Sequence, residues 1–248
     1  MKIAVAIDGP AAAGKSTIAK KVALMRGFTY IDTGAMYRAF TWYCLQKGVD
    51  CQNEAACVAL IPEVNIELKP GYVVLCNGVD VTKPIRGTDV SGNVSYIASY
   101  KDIRLALVEL QRKMAENDSV IMDGRDIGTY VLPNADVKIY QIASLEKRAE
   151  RRYKENQEKG IPCTYEEVVE DVKKRDRIDS SRAFAPLKPA EDAVHLDTSD
   201  MTIDEVVAAV NKIIDDKLAE KMNQFFLMGL MNLPTSILDI LALKWKTL

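Results

Sequence analysis

The feature that most constrains this chain is the loop Gly9-Pro10-Ala11-Ala12-Ala13-Gly14-Lys15-Ser16, which fits the pattern G-x-x-x-x-G-K-[ST]. Its flanks have the right texture. Lys2 to Ile7 is a short run rich in Ile, Val and Ala, as expected of a buried parallel strand. Lys15 to Arg26 places Ile18, Ala19, Val22 and Ala23 on one helical face, and Gly27 is a natural stop. A tight loop of small residues between strand and helix turns its backbone N–H groups onto phosphate oxygens, and the helix N-terminus adds positive potential. In that setting Lys15 reaches the β- and γ-phosphates and the Ser16 hydroxyl ligates Mg²⁺. By typical residue frequencies the pattern arises by chance in on the order of one chain in a hundred. The strand–loop–helix context is a separate requirement, also met. The loop predicts a nucleoside triphosphate site in an α/β fold.

The rest of the chain continues that theme. Phe28 to Asp32 reads as a strand, and Thr33-Gly34 opens a helix to about Lys47. From Ile61 to Ile85 the period changes to two, with turn signals at Pro70-Gly71 and Asn77-Gly78, which predicts a small inserted antiparallel meander. A helix follows over about Ile103 to Asn117, then strands at Ser119–Met122 and Val137–Ile142. Two highly charged helices come next, one capped by Ser144 and running to about Lys159, the other opened by the capping box Thr164–Glu167 and running to about Arg177. Joined by Gly160-Ile161-Pro162, they read as a mobile hairpin lid. A last strand at Val194–Leu196 and a helix from Thr202 to about Leu218 complete the pattern. Strands alternating with helices predict a parallel sheet covered on both faces.

Composition narrows the function. With 33 basic and 35 acidic residues there is no global positive field for a nucleic acid partner. His195 is the only histidine, in an apolar run that suits a strand, so histidine-rich metal sites are excluded. The five cysteines (Cys44, Cys51, Cys57, Cys76 and Cys163) contain no C-x-x-C pair and suit a reducing cytoplasm better than a disulfide framework. The N-terminal apolar run is too short for a signal peptide, and no run is long enough for a membrane span. A guanine-reading N-K-x-D is missing from the nearest string, Asn211-Lys212-Ile213-Ile214, which counts against a GTPase. Paired acids at the end of the Ser119–Met122 strand would suit a mechanical ATPase. That strand instead runs into Asp123-Gly124-Arg125-Asp126, with Asp123 placed to help hold Mg²⁺ through water.

A phosphoryl transferase must cancel donor and acceptor charge, and guanidinium groups do so with planar paired donors. Arg38 follows Thr33-Gly34-Ala35-Met36-Tyr37, and Arg125 stands at a strand's carboxyl end, where α/β sheets place ligands. Arg175, Asp179 and Arg182 share a face if their helix extends that far. Arg148, Arg151 and Arg152 share another, where a solvated face is an equal reading.

Four blocks then stand together: Ile7-Asp8-Gly9-Pro10 with Gly14-Lys15-Ser16-Thr17, Asp32-Thr33-Gly34-Ala35-Met36-Tyr37-Arg38, Asp123-Gly124-Arg125-Asp126-Ile127-Gly128-Thr129, and Ser181-Arg182-Ala183-Phe184-Ala185-Pro186-Leu187. Over about residues 2–218 the chain resembles the bacterial cytidylate kinases. The resemblance implies a P-loop NTPase three-layer fold with a nucleoside monophosphate (NMP) binding insertion, about 33–111, and a helical lid, about 145–182. The core would be about 1–32, 112–144 and 183–221. It implies transfer of phosphate from ATP, with Mg²⁺, to CMP and dCMP. Gly9, Pro10, Ala11, Ala12, Ala13, Gly14, Lys15, Ser16 and Thr17 would hold ATP, with Arg148 and Arg152 closing from the lid. Arg38, Arg125 and Arg182 would bind the acceptor phosphate and act with Lys15 in catalysis. Ser95, Arg104 and Asp126 would read the cytosine edge beside Thr33 and Tyr37, and Arg175 and Asp179 would hold the ribose. Ala11 departs from relatives that place a serine there, which removes one minor phosphate contact.

Residues 222–248 form a second departure, an apolar extension interrupted by Asn232 and Pro234. It reads as docking on the core or on a partner, with self-association, membrane contact and a shifted reading frame as the other readings. A cytoplasmic monomer is expected, with small nucleotides as partners and neither nucleic acid nor membrane. Two rivals remain: another small-molecule P-loop kinase, for UMP, AMP or shikimate, and a binding protein that uses ATP to order its lid.

Overall fold

The computed structural model describes residues 2–231, with side chains through residue 223. Strand β1 (Ala4–Asp8) is central, and the order β2-β6-β1-β7-β8 is formed with β2 (Thr29–Asp32), β6 (Val120–Gly124), β7 (Val137–Ile142) and β8 (Val194–Asp197), all parallel. Alternation along the strands builds two cores. Val5, Ile7, Ile121, Val137 and Ile139 face α1 (Lys15–Arg26) and α8 (Ile203–Met231), meeting Ile18, Val22, Val210 and Ile214. Ala6, Ile31, Val120 and Met122 point the other way, onto Val108 of α5 (Lys101–Ala115) and onto Ile127 and Val131. Helices therefore cover both faces, as the alternating pattern predicts.

The inserted region has its own core. Helix α2 (Thr33–Gln46) supplies Met36, Phe40 and Cys44, which pack with Cys57 of α3 (Glu54–Val58), Ile97 of α4 (Thr88–Ile97) and Ile103. The meander is β3 (Ile66–Lys69), β4 (Val73–Cys76) and β5 (Val79–Asp80), order β3-β4-β5, antiparallel. Asn77 and Gly78 both adopt left-handed conformations (φ 50° and 78°), the geometry a two-residue hairpin needs.

The charged helices are α6 (Leu145–Glu158) and α7 (Tyr165–Ser181), packed on each other through Ala149, Val168 and Val172. The Thr164 hydroxyl accepts from Glu167 N–H at 3.2 Å, and Glu167 accepts from Thr164 N–H at 2.7 Å. Thr164→Ala is expected to cost about 1 kcal/mol of local stability. It should show as roughly fivefold faster amide exchange over the first turn of α7; unchanged exchange there would count against the cap.

Two helix ends and one further helix differ from the sequence reading. Helix α7 continues past Arg177 to Ser181, which puts Arg175 and Asp179 in helix and Arg182 at its C-cap. Helix α8 continues past Leu218 to Met231, since no proline interrupts it and Lys221 pairs with Asp136 at 2.5 Å. Helix α4 was not foreseen. Residues 222–231 of the extension thus continue α8, whereas the breakers Asn232 and Pro234 and the rest of the segment expected to dock lie outside the described residues. No helix among the described residues is long and apolar enough to cross a membrane.

Candidate active site

All the recognised blocks meet at the carboxyl ends of the parallel strands, around one cavity of about 550 Å³. The phosphate loop forms its floor. Gly9 is required where β1 enters the loop: a Cβ there would lie 2.0 Å from the Gln141 carbonyl oxygen of β7. Gln141 also donates from Nε2 to Ala13 O at 2.7 Å, bracing the loop from below. Ala12 holds a left-handed conformation (φ 59°), strain that an alanine tolerates only when neighbours fix it.

Ala11 to Thr17 line the cavity, whereas Gly9 and Pro10 stand behind it. Their carbonyls accept from Lys15 Nζ, each at 2.8 Å. Lys15 is thus buried, and burial, followed by repulsion from Arg125, pushes its ammonium down to about 7. The Ser16 hydroxyl donates to Asp123 Oδ2 at 2.7 Å, and the Tyr30 phenol donates to Asp123 Oδ1 at 2.6 Å. Burial and the neighbouring Asp32 raise the Asp123 carboxyl above its ordinary range. A hydroxyl facing a charge-starved carboxylate is a donor set that suits one divalent cation arriving with a triphosphate. Among the described residues no three acidic, histidine or cysteine side chains are grouped to hold a metal alone.

Across the cavity is a guanidinium-lined half. Arg38, Arg104, Arg125, Arg175 and Arg182 all line it. Asp179 accepts from Arg125 Nε at 2.8 Å and from Arg182. Burial opposes its charge, yet Arg125, Arg182 and Arg175 together hold its carboxyl below the usual range. The five guanidinium groups outnumber the two carboxylates that hydrogen-bond to them, Asp179 and, through Arg104, Asp126. Burial and mutual repulsion push Arg38 down to about 9 and Arg175 to about 10. The Nε donors of Arg38, Arg104, Arg175 and Arg182 are buried without partners. Buried orphan donors are costly, so this half is built for an anion.

A polar pocket adjoins it. Arg104 donates to Ala98 O at 2.8 Å and to Asp126, over the Tyr37 ring at 5.3 Å. Ser95 of α4 lines the same wall, and burial pushes the Tyr37 phenol up to about 12. Thr33 is there too, but its hydroxyl is spent on the β6 end, donating to Asp123 O at 2.7 Å.

The lid arginines split. Arg152 lines the cavity. Arg148 does not: it donates to Ala11 O at 3.1 Å, Ala143 O at 3.0 Å and Asp176 at 2.6 Å, while Asp176 accepts from Ala11 N–H at 3.1 Å. Lid and loop are bracketed together at the Ala11 peptide. His195 sits on β8 against Tyr140, away from the cavity. Sequence reasoning missed Gln141, Tyr30, Arg86 and Lys20. Arg86 lines the cavity and donates to Asp32 Oδ2 at 2.9 Å, beside Asp32 Oδ1, which caps α2 through Ala35 N–H at 2.8 Å. None of the four belongs to a local motif, although Lys20 lies on the predicted α1.

A phosphate loop facing a guanidinium-lined half of the same cavity defines a nucleotide-binding kinase. Comparison with known proteins agrees. The family model described as cytidylate kinase matches residues 5–216. The chain is 51% identical to the cytidylate kinase of Anoxybacillus flavithermus over 220 residues, 88% of this chain and 98% of that protein. It is 50% identical to that of Geobacillus kaustophilus, over 88% of this chain and 98% of that protein. It is 48% identical to that of Bacillus subtilis, over 87% and 98%. The chain belongs to the cytidylate kinase family.

Proposed function

We infer that this chain transfers the γ-phosphoryl group of ATP to CMP and dCMP, giving ADP with CDP or dCDP. The observation that carries the reading is one cavity of about 550 Å³ lined both by the phosphate loop and by Arg38, Arg104, Arg125, Arg175 and Arg182, a cation supply suited to two anionic ligands. The loop from Gly9 to Thr17 takes the triphosphate. Arg38, Arg125 and Arg182 take the acceptor phosphate, Arg175 and Asp179 the ribose, and Ser95, Arg104 and Asp126 the base.

The acceptor phosphate oxygen is anionic at neutral pH, so it attacks the γ-phosphorus in line without a protein base. Catalysis is then positioning and charge stabilisation. Lys15 leaves its loop carbonyls for the β- and γ-oxygens, and the guanidinium groups take up charge as it moves between the nucleotides. Ser16 and Asp123 are the residues that would hold Mg²⁺, which would supply electrophilic assistance at the phosphate oxygens. Expulsion of water by the closing lid protects ATP from hydrolysis.

The core is about 1–32, 112–144 and 183–221, with the NMP-binding insertion at 33–111, the lid at 145–182 and an extension at 222–248. Five free cysteines support a reducing, cytoplasmic setting. Arg148 does not line the cavity and is held by Asp176 and the Ala11 carbonyl, so a role for it in ATP binding calls for a shift of the lid when the donor binds. A bisubstrate analogue is expected to slow amide exchange over about residues 145–178; unchanged exchange would count against a closing lid. The function itself is tested by coupled ADP release with CMP, dCMP, UMP, AMP and shikimate as acceptors. Preference for CMP and dCMP is expected. Preference for another acceptor, or ATP binding without transfer, would overturn it.

A further inference from the structure

Asp8 does not line the cavity, yet it holds one of its walls. It is the last residue of β1, next to the phosphate loop, and only 4% exposed. Its Oδ1 accepts from Ile127 N–H at 2.8 Å and its Oδ2 from Gly128 N–H at 2.7 Å. These two N–H groups open a single π-helical turn, Ile127–Val131, in which Tyr130 and Val131 donate back to Asp126 O at 2.8 and 3.1 Å. First-turn N–H groups have no partner within their own turn, and Asp8 supplies both. Asp126, just before the turn, has φ −146° and ψ 24°, outside the main helical and extended regions. Such a conformation persists only where the surroundings dictate it. Burial, with Asp126 adding repulsion, pushes the Asp8 carboxyl up to about 7 against the pull of the two N–H groups and Lys15. The phosphoryl-transfer chemistry makes no use of this acid.

We propose that Asp8 is a positioning residue for base recognition: by gripping Ile127 and Gly128 it fixes Asp126, and through Asp126 the Arg104 guanidinium, at the cytosine edge. The proposal rests on Asp126 and Arg104 as the base readers. It links the strand that starts the ATP loop to the turn that chooses the acceptor.

Asp8→Asn is nearly isosteric but turns one acceptor into a donor, so one of the two N–H groups faces an N–H₂. Leaving a buried donor unpaired should lower the ratio of catalytic efficiencies for CMP over UMP by about tenfold. KM for CMP should rise while KM for ATP stays within about twofold. A merely structural role would lower the melting temperature and the active fraction and leave the ratio alone. An unchanged ratio overturns the proposal. So does a KM for ATP that rises in step with that for CMP, which would assign Asp8 to the phosphate loop. Asp126→Asn is measured alongside. If that ratio also stays fixed, the base-reading assignment itself fails; if only the Asp8 variant is silent, the link alone fails. Should Asp8→Asn not fold, Gly128→Ala decides. Its methyl would stand 3.1 Å from Lys138 Cδ and 3.5 Å from Asp8 Oδ2, nudging the same turn. A smaller fall in the ratio supports the link, and no fall overturns it.

Discussion

Lys15→Met lowers turnover by about 10³-fold or more and leaves a folded protein, because a cation at the transferring phosphate is worth that much to the transition state. Nζ is buried and bridges the Gly9 and Pro10 carbonyls, so stability must be read beside catalysis. Removing it leaves two carbonyls short of a donor, a loss of about 1–3 kcal/mol. It also removes a buried charge that burial and Arg125 already disfavour. The two effects oppose each other, and methionine keeps most of the volume. Single-turnover transfer and thermal unfolding, measured on one preparation, separate catalysis from stability. Transfer within a few-fold of wild type would sink the phosphate-loop assignment.

Arg104→Met narrows the choice between CMP and UMP. Cytosine offers an N4 amino donor beside its N3 and O2 acceptors. Asp126 can take the amino protons while Arg104 donates to the acceptors. Uracil would turn a carbonyl toward the carboxylate and leave buried groups unpaired, so wild type should favour CMP by roughly ten- to a hundredfold. Arg104 is only 1% exposed and holds both Asp126 and Ala98 O, which rules out the bland alternative of a surface charge near a helix start. The variant also strands the buried Asp126, so lower stability is expected as well. The ratio of catalytic efficiencies is insensitive to that loss, and an unchanged ratio would remove Arg104 from the base pocket.

The core strands and the phosphate loop were legible because each carries its own periodicity or glycine spacing. Helix α4 was not. Thr88-Asp89-Val90-Ser91-Gly92-Asn93-Val94-Ser95 is rich in weak helix formers. Burial of Val90, Val94 and Ile97 overrides propensity there. The π-helical turn at Ile127–Val131 has its first N–H groups accepted by Asp8, a residue far away in sequence, so no local window contains both partners. The same holds for the site. Residues within motifs were readable, whereas Gln141 and Arg86 act through partners that only the fold supplies. Arg148 shows the opposite limit: its face was visible in the helical spacing, but its grip on Asp176 and Ala11 was not.

The distribution of cysteines has a practical consequence. Cys44, Cys51, Cys57 and Cys76 are sealed in the core of the insertion, and only Cys163, in the turn joining the two lid helices, is half-exposed. A maleimide dye should therefore attach at one place in the unaltered chain. That place lies between α6 and α7, so a dye attached there would test whether the hairpin moves when nucleotides bind.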